Sequence, residues 1–499
     1  MSVSAIGGQA GISIQQLVSM RAQLDELQRQ LSTGKKADSY AGLGLDRGVT
    51  ISLNSQLAAI GGYDDTINTV LTRVGLAQTA LGRMAALGGT VKSAMAASGY
   101  GADGSGAATA QLTAQSSLDE LLGLLNTQAG GRYLFSGRAA DQPAVESIDH
   151  ILNGDGARAG LKQLIAERNQ ADLGANGLGR LTIGTPTTTS LSLTEDAAVF
   201  GLKLASVSST MANATVSGPT GAPASIGISL TGVPNAGDTL TVRFTLPDGS
   251  SENLTLTATT DSPPGANQFT IGADAIATTT NLKNALSAGI GKLAGGALAA
   301  ASAVQASNEF FAADAGNPPL RVAGPPFDSA TALTAGTAAN SVIWYTGEAG
   351  SDPARLTATA RIDPSLAVSY GVRGNEDGLR ALVQNIATLA AVPVSATDPN
   401  AADLSSALNQ RLTANLNGQP GAQSVADIET ELAGTQASLK AAQDRHRQTA
   451  ATLNDFLGQI EGVSNEQVGA DILSLQTRLQ ASMQTTAMLF QTNLVNYLK

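Results

Sequence analysis

The side chains most often used for catalysis and metal binding are scarce in this sequence. It has no cysteine and two histidines, His150 and His446, among 499 residues. A zinc site, a thiolate nucleophile or a histidine-based triad therefore lacks the side chains it needs. His446 falls in a helical apolar repeat, where a polar residue typically sets the helix register. His150 lies in a predicted loop with Asp149 and Asp155 nearby. We predict that neither histidine binds metal and that the protein holds no cofactor.

Two further features of the sequence could suggest a phosphate-binding or a catalytic site. Residues 99–104 read GYGADG, which fits G-x-G-x-x-G, but a dinucleotide fingerprint needs a strand before it and a helix after it. Here it separates two predicted helices and indicates a flexible break. Carboxylates such as Asp46, Asp64, Asp65 and Asp119 are spread over predicted helices and turns without pairing. We predict that the protein is not an enzyme.

Composition narrows the class of protein. There are 40 acidic and 29 basic residues, a net charge of -11, which argues against binding nucleic acid through phosphate contacts. Aromatic residues make up 3% of the chain and glycines number 55, so we predict long helices and small-residue β structure around an Ala, Leu and Val core. Residues 1–20 carry no charge, so a basic signal-peptide region is lacking. We expect no membrane insertion, because no apolar run approaches about 18 residues.

Long helical repeats occupy both ends of the sequence. Apolar residues recur in steps of three and four from Ile14 to Leu31, from Ile60 to Met95 and from Val425 to Ile460. A globular helix averages about 11–12 residues, so the second and third repeats are typical of a coiled coil or an extended bundle. A further helix is predicted to run to about Ala129.

The middle of the chain differs from the two ends in amino-acid composition. From Leu181 it is rich in Thr, Ser, Gly and Pro, which marks a domain boundary. Alternation over 239–246, the turn Pro247-Asp248-Gly249 and a second alternating run predict a β-hairpin. An Ala-rich helix is predicted over 275–311, and strands over 342–345, 355–362 and 366–370.

The last helix, predicted from Ser464, has an apolar stripe that is interrupted only at Thr486, and this stripe needs a partner. Ser464 and Gln467 have the spacing of a capping box. The three earlier repeats are expected to pair with one another and to leave no place for this stripe, so we expect it to contact other copies of the chain. The predicted self-assembly residues are Leu17, Leu24, Leu27, Leu31, Ile472, Leu475, Leu479, Met483, Phe490, Leu494 and Tyr497.

Several segments resemble the bacterial flagellin family, including its hook-associated protein 3 branch. They are LSTGKKADSYAGLG at 31–44, GGRYLFSG at 130–137 and the terminal run at 471–498, with weaker similarity in IWYTGEAG at 343–350 and VSYGVRGNE at 368–376. The resemblance covers about 1–180 and 365–499. The segment AGLGLDRG is less polar than the usual family sequence, and the arginine-rich stretch that host receptors recognise in some members is missing.

The resemblance implies an α+β fold, in which both chain ends form a long antiparallel helical coiled coil or bundle and a β-rich central insert projects outward. The expected division is a helical assembly segment at 1–48, the two halves of a helical core domain at 49–180 and 366–462, an outer domain at 181–365 and a second assembly segment at 463–499.

It also implies a helical homopolymer in the extracellular flagellum, exported without a cleaved signal peptide. The implied partners are further copies of the chain, the flagellar export apparatus, an export chaperone, the filament cap and hook-associated proteins. The predicted function is flagellin, the structural subunit of the filament used in swimming. Two alternatives stay open: the hook–filament junction protein, and a secreted adhesin or glycan-binding protein built on the central insert.

Overall fold

The computed structural model describes residues 3–98, 105–395 and 397–497. The chain forms two compact units, and each is assembled from segments that are distant in sequence. Unit 1 contains Met1–Thr69, Ala360–Val368 and Ala437–Lys499, and unit 2 contains Val70–Thr359 and Ser369–Gln436. Both ends of the chain therefore contribute to unit 1, and the central region belongs almost wholly to unit 2.

Helices and strands are both well represented, which confirms the mixed fold class. The helices are α1 (Val3–Thr33), α2 (Arg47–Ala97), α3 (Ser105–Leu125), α4 (Ile148–Asn153), α5 (Leu161–Leu173), α6 (Ala275–Leu293), α7 (Ala299–Phe311), α8 (Asp377–Ala391), α9 (Ala401–Leu416), α10 (Val425–Glu461) and α11 (Asn465–Tyr497). The strands are β1 (Gln128–Ala129), β2 (Arg132–Tyr133), β3 (Thr182–Ile183), β4 (Ser190–Thr194), β5 (Lys203–Ser209), β6 (Ala214–Thr220), β7 (Ser225–Leu230), β8 (Thr239–Thr245), β9 (Ser251–Thr259), β10 (Gln268–Thr270), β11 (Leu320–Val322), β12 (Leu333–Ala335), β13 (Thr359–Asp363) and β14 (Leu366–Ser369).

The long helices follow the predicted repeats, and two of them are longer than predicted. α1 begins at Val3, before the predicted start at Ile14. α2 begins at Arg47, before the predicted start at Ile60 and directly after a 3₁₀ segment at Tyr40–Asp46. The Ala- and Gly-rich start of α1 carries no clear apolar stripe, so periodicity alone does not find it. Parts of α2 and α10 belong to each unit.

Two four-stranded sheets and α6 share one hydrophobic core in unit 2. The strand orders are β3-β4-β7-β6 and β10-β9-β8-β5. Alternate residues point inward, for example Leu240, Val242 and Phe244 on β8, as expected for strands with one buried face. The predicted hairpin is confirmed, since β8 and β9 pair antiparallel from Thr239–Thr257 to Thr245–Ser251. Leu282, Leu286 and Ile290 of α6 close the core.

The predicted strand at 342–345 is wrong. Val342 and Tyr345 make single backbone contacts with Ala159 and Val145 rather than a ladder. Trp344 and Tyr345 are buried because their side chains pack in the core of unit 2. A short apolar run has the same sequence pattern whether it forms a buried strand or an irregular segment with buried side chains. Residues 342–345 are the second case, so the pattern predicted a strand that does not form.

The Ala-rich helix predicted at 275–311 is confirmed, with a π-helical turn at Ala294–Leu298 between α6 and α7. Ala275–Phe311 is long and apolar enough to cross a membrane, yet 61% of the apolar window is buried inside the protein, as in the core helix of a globular domain. At Gly296 an added Cβ would lie 2.8 Å from Asp403 Cβ. The turn therefore packs on the start of α9, and its glycine permits that close approach.

Replacing this glycine is expected to lower stability. Gly296→Ala should cost about 1–3 kcal/mol, because the new methyl group overpacks against α9. Gly291→Ala is the matched control: its Cβ meets only Leu178 Cδ2, at 3.9 Å, so removing a helix glycine should be neutral or stabilise by about 0.5–1 kcal/mol. Urea denaturation followed by fluorescence of Trp344, the single tryptophan, measures both. Equal destabilisation by the two variants would contradict this account of the turn.

Candidate assembly surface

The two chain ends are joined by backbone hydrogen bonds in unit 1. Lys36 N donates to Glu461 O at 2.7 Å, and Val463 N donates to Gly34 O at 3.1 Å. Gly34 has φ +67°, the left-handed conformation in which helices commonly end, and it turns the chain out of α1. The end of α1 and the start of α11 therefore lie side by side.

α1 and α11 pack against each other as an antiparallel pair. A shallow groove of about 540 Å³ between them is lined by Ala22, Gln23, Glu26 and Leu27 of α1 and by Asp471, Ser474, Leu475 and Arg478 of α11. This corrects the expectation that the last helix has no partner within the chain: α1 is that partner. The pairing follows from the backbone contact at residues 34–36 and 461–463, which helical periodicity does not reveal.

The pair covers only part of the predicted self-assembly residues. Leu475 is 8% exposed, and Leu17, Leu24, Leu27, Ile472 and Leu479 are partly buried. Leu31 and Met483 are exposed, at 43% and 51%. The side chains of Phe490, Leu494 and Tyr497 lie outside the described part of the protein, although their backbone belongs to α11. Each helix thus presents one narrow apolar strip to its partner.

Other large apolar side chains of α1 and α11 in unit 1 are exposed, and all of them except Ile14 lie outside the predicted apolar stripes. On α1 these are Ile12, Ile14 and Val18, and on α11 Leu473 and Met488; Val18 and Leu473 are 64% and 66% exposed. Single exposed apolar residues are ordinary, but here they recur along both helices. Contiguous exposed apolar patches often mark a surface that another protein covers, so these residues are candidates for such a surface. Val18 directly follows Leu17, and Leu473 directly follows Ile472. Because adjacent residues of a helix point in different directions, a single stripe through Leu17 or Ile472 leaves Val18 and Leu473 on the face expected to be polar.

His446 fixes the packing of α10 on α2 within unit 1. Its ring is 6% exposed, and Nδ1 lies 2.8 Å from Asp64 Oδ1. The ring of Tyr63 lies alongside, with centroids 6.1 Å apart, and Asp363 Oδ2 is 3.9 Å from Nε2. This geometry suits a buried polar contact that sets the register of two helices.

Removing this contact is expected to loosen the pair of helices. His446→Leu should raise hydrogen exchange of the α10 amides at 437–461 by an amount corresponding to about 1–2 kcal/mol, because Asp64 loses its buried partner. The control is His150→Leu. The His150 ring is 41% exposed and contacts the Glu146 carboxylate one helical turn away, and a contact of that kind contributes about 0.5 kcal/mol or less. Unchanged exchange in His446→Leu would show that the contact does not set the packing.

Three segments with family resemblance meet in unit 2. Phe135 O accepts hydrogen bonds from Gly374 N at 2.7 Å and from Tyr345 Oη at 3.2 Å. Glu348 N donates to Ser136 O at 3.0 Å. The segments at 130–137, 343–350 and 368–376 therefore form one junction, although more than 200 residues separate the first from the second in sequence.

Buried aromatic side chains hold this junction. Trp344 is fully buried and its Nε1 donates to Phe311 O at 3.0 Å, while the two rings meet edge to face at 5.2 Å. Burial raises the pKa of the Tyr345 hydroxyl, so this group stays protonated and keeps donating its hydrogen bond. Arg138 pairs with Glu348 and Asp352 at 2.6 and 2.9 Å.

Within the part of the chain that the structure describes, no three His, Asp or Glu side chains come together as metal ligands. The G-x-G-x-x-G pattern at 99–104 lies outside the described residues, between α2 and α3.

Residues 10–140 match the family model described as the bacterial flagellin N-terminal helical region. The match spans most of α1, all of α2 and α3, and the segments at 31–44 and 130–137. No curated protein matches the chain. The match confirms the resemblance to the bacterial flagellin family and supports a structural role, self-polymerisation and a place in the extracellular flagellar filament. That family is structural, not enzymatic.

Proposed function

We propose that this chain is flagellin, the self-assembling subunit of the filament that bacteria use for swimming. The observation that carries the proposal is the exposed apolar surface of the α1–α11 pair. The two helices pair within the chain, yet Ile12, Ile14, Val18, Leu473 and Met488 remain exposed. Further copies of the chain supply the surface that covers them.

The size of this surface is of the order that an assembly needs. Burying one large aliphatic side chain contributes about 1.5–3 kcal/mol, so five half-exposed ones together contribute an amount within the same range as the cost of immobilising a neighbour, about 4–15 kcal/mol. The 33 residues of α11 and the 31 of α1 give the length over which these contacts repeat. The predicted self-assembly residues on the same helices would belong to this surface.

The proposed architecture places the helices of both chain ends at the inside of the filament as a coiled coil, with the β-rich part projecting outward. Strands β3–β10 share one core with α6, which supports an outer domain within the expected range 181–365. The divisions at 48, 180, 365 and 462 remain predictions. So do export without a cleaved signal peptide and contacts with an export apparatus, a chaperone, the filament cap and hook-associated proteins.

Substitutions two residues apart on α11 test the assembly surface. Leu473→Asp should leave monomer stability within about 0.5 kcal/mol of wild type, because Leu473 is 66% exposed. It should nevertheless raise the critical concentration for polymerisation at least about tenfold, because a buried carboxylate is costly at an interface. Sedimentation and electron microscopy of purified protein measure this change.

Two control variants complete the test. Leu475→Asp should destabilise the α1–α11 pair itself, since Leu475 is buried there. Val233→Asp changes an exposed apolar residue of the central region, 39% exposed, and should polymerise normally. Filament formation by Leu473→Asp at the wild-type concentration would refute the proposed surface.

A second candidate, the hook–filament junction protein, is favoured by the meeting of the segments at 130–137, 343–350 and 368–376. Two of these, GRYLFSG and IWYTGEAG, resemble the junction branch of the family. Their convergence on Phe135 O shows that the similarity describes one structural element of unit 2. The Thr-rich central region favours the filament subunit instead.

Deleting the gene in the source bacterium separates the two roles. A filament subunit is expected to leave hooks without filaments, since no subunit remains to polymerise. A junction protein is expected to leave hooks while filament subunits are shed into the medium. Electron microscopy of cells and analysis of the culture medium distinguish these results, and normal filaments on swimming cells would contradict both.

A further inference from the structure

A polar cavity of about 250 Å³ lies in unit 2, beside the junction of the three segments. Arg73 of α2 forms one side, and Arg132 and Tyr133 of the β1–β2 hairpin form another. Thr357 and residues 370–372 close it. The elements that build it come from three distant parts of the sequence, 73–77, 132–140 and 357–372.

The cavity is positively charged and carries unused hydrogen-bond donors. Its lining contains two guanidinium groups and two phenols but no aspartate or glutamate. Arg73 Nη1 donates to Tyr370 Oη at 3.2 Å, and within the described part of the protein the Arg132 side chain has no hydrogen bond or ion pair. Several other arginines of unit 2 are paired with acidic side chains, for example Arg83 with Glu120 and Arg411 with Asp248.

This donor set suits a carboxylate. A guanidinium presents paired N–H groups that match the two oxygens of a carboxylate, and a neighbouring phenol adds a third donor. The volume is below the range of about 300–1,000 Å³ usual for small-molecule pockets. It fits one acidic side chain and excludes a helix or an extended peptide.

We propose that this cavity accepts an acidic side chain from a second copy of the chain. The inference rests on the proposed self-assembly and adds an electrostatic contact to it. Each copy carries 40 acidic and 29 basic residues, so neighbouring copies repel one another unless positive groups meet negative ones. Arg132 and Arg73 are positive groups that the chain leaves available for that purpose.

Neutralising the exposed arginine tests the contact. Arg132→Gln should raise the critical concentration about tenfold at low salt, which is the size of one hydrogen bond to an ionised partner. The difference from wild type should shrink toward about 1 M salt, where the Debye length is about 3 Å. Arg243→Gln removes the same charge from an exposed position on β8 and should behave as wild type. Circular dichroism should show that both variants fold.

A cross-linking experiment identifies the source of the carboxylate. In Arg132→Lys, a carbodiimide should join the new amine to an aspartate or glutamate of another copy, giving a dimer whose linked peptides mass spectrometry reads. Arg243→Lys should give no such added product. Citrate serves as a small carboxylate probe of the same cavity. If the wild-type monomer binds citrate and the Arg132→Gln monomer does not, while the variant polymerises like wild type, the cavity is a small-anion site and the proposal is overturned.

The two hypotheses fail differently. If the wild-type protein does not polymerise, the proposed function fails. If it polymerises, and Arg132→Gln does so at the same concentration and with the same salt dependence, only the carboxylate contact is refuted.

Discussion

The backbone contact between residues 34–36 and 461–463 is the constraint on which unit 1 depends. It brings together points more than 420 residues apart and sets α1 and α11 side by side. Closing so long a segment costs conformational entropy, although the cost grows only slowly with length. The apolar strip shared by the two helices offsets it. Without this contact both helices would present their whole apolar faces to water.

Beside its hydrophobic core, unit 2 contains buried charged side chains that pair with one another. Arg168 Nε donates to Asp172, which is fully buried and also accepts from Gly201 N. Arg168 and Arg180 both lie over the ring of Phe200, at 5.3 and 5.5 Å. Such pairs need complete hydrogen bonding to be tolerated.

Most of the helices and the β8–β9 hairpin were predictable because their signals are local. Steps of three and four residues locate α2 and α10, and alternation with a Pro-Asp-Gly turn locates the hairpin. The 342–345 segment was not predictable, since Trp344 and Tyr345 are buried through contacts with Phe311 and Phe135 that no local pattern encodes. The sequence predicts the buried residues of the α1–α11 pair but not most of the exposed apolar residues beside them. A stripe identifies Leu475, whereas the exposure of Leu473 follows from how little of α11 one partner helix covers. Nothing near Arg132 in sequence indicates the cavity that Arg73 and Tyr370 complete.

The make-up of unit 1 also sets the order in which the protein can finish folding. Its segments are Met1–Thr69, Ala360–Val368 and Ala437–Lys499, so its contacts join the two extremes of the chain. Contacts of such long range form slowly, and an unpaired apolar helix is prone to aggregation while it waits. When the chain is made with its N-terminus first, α1 has no partner helix until α11 has been added. A truncated chain cannot complete unit 1, which makes the arrival of α11 a check on the integrity of each subunit.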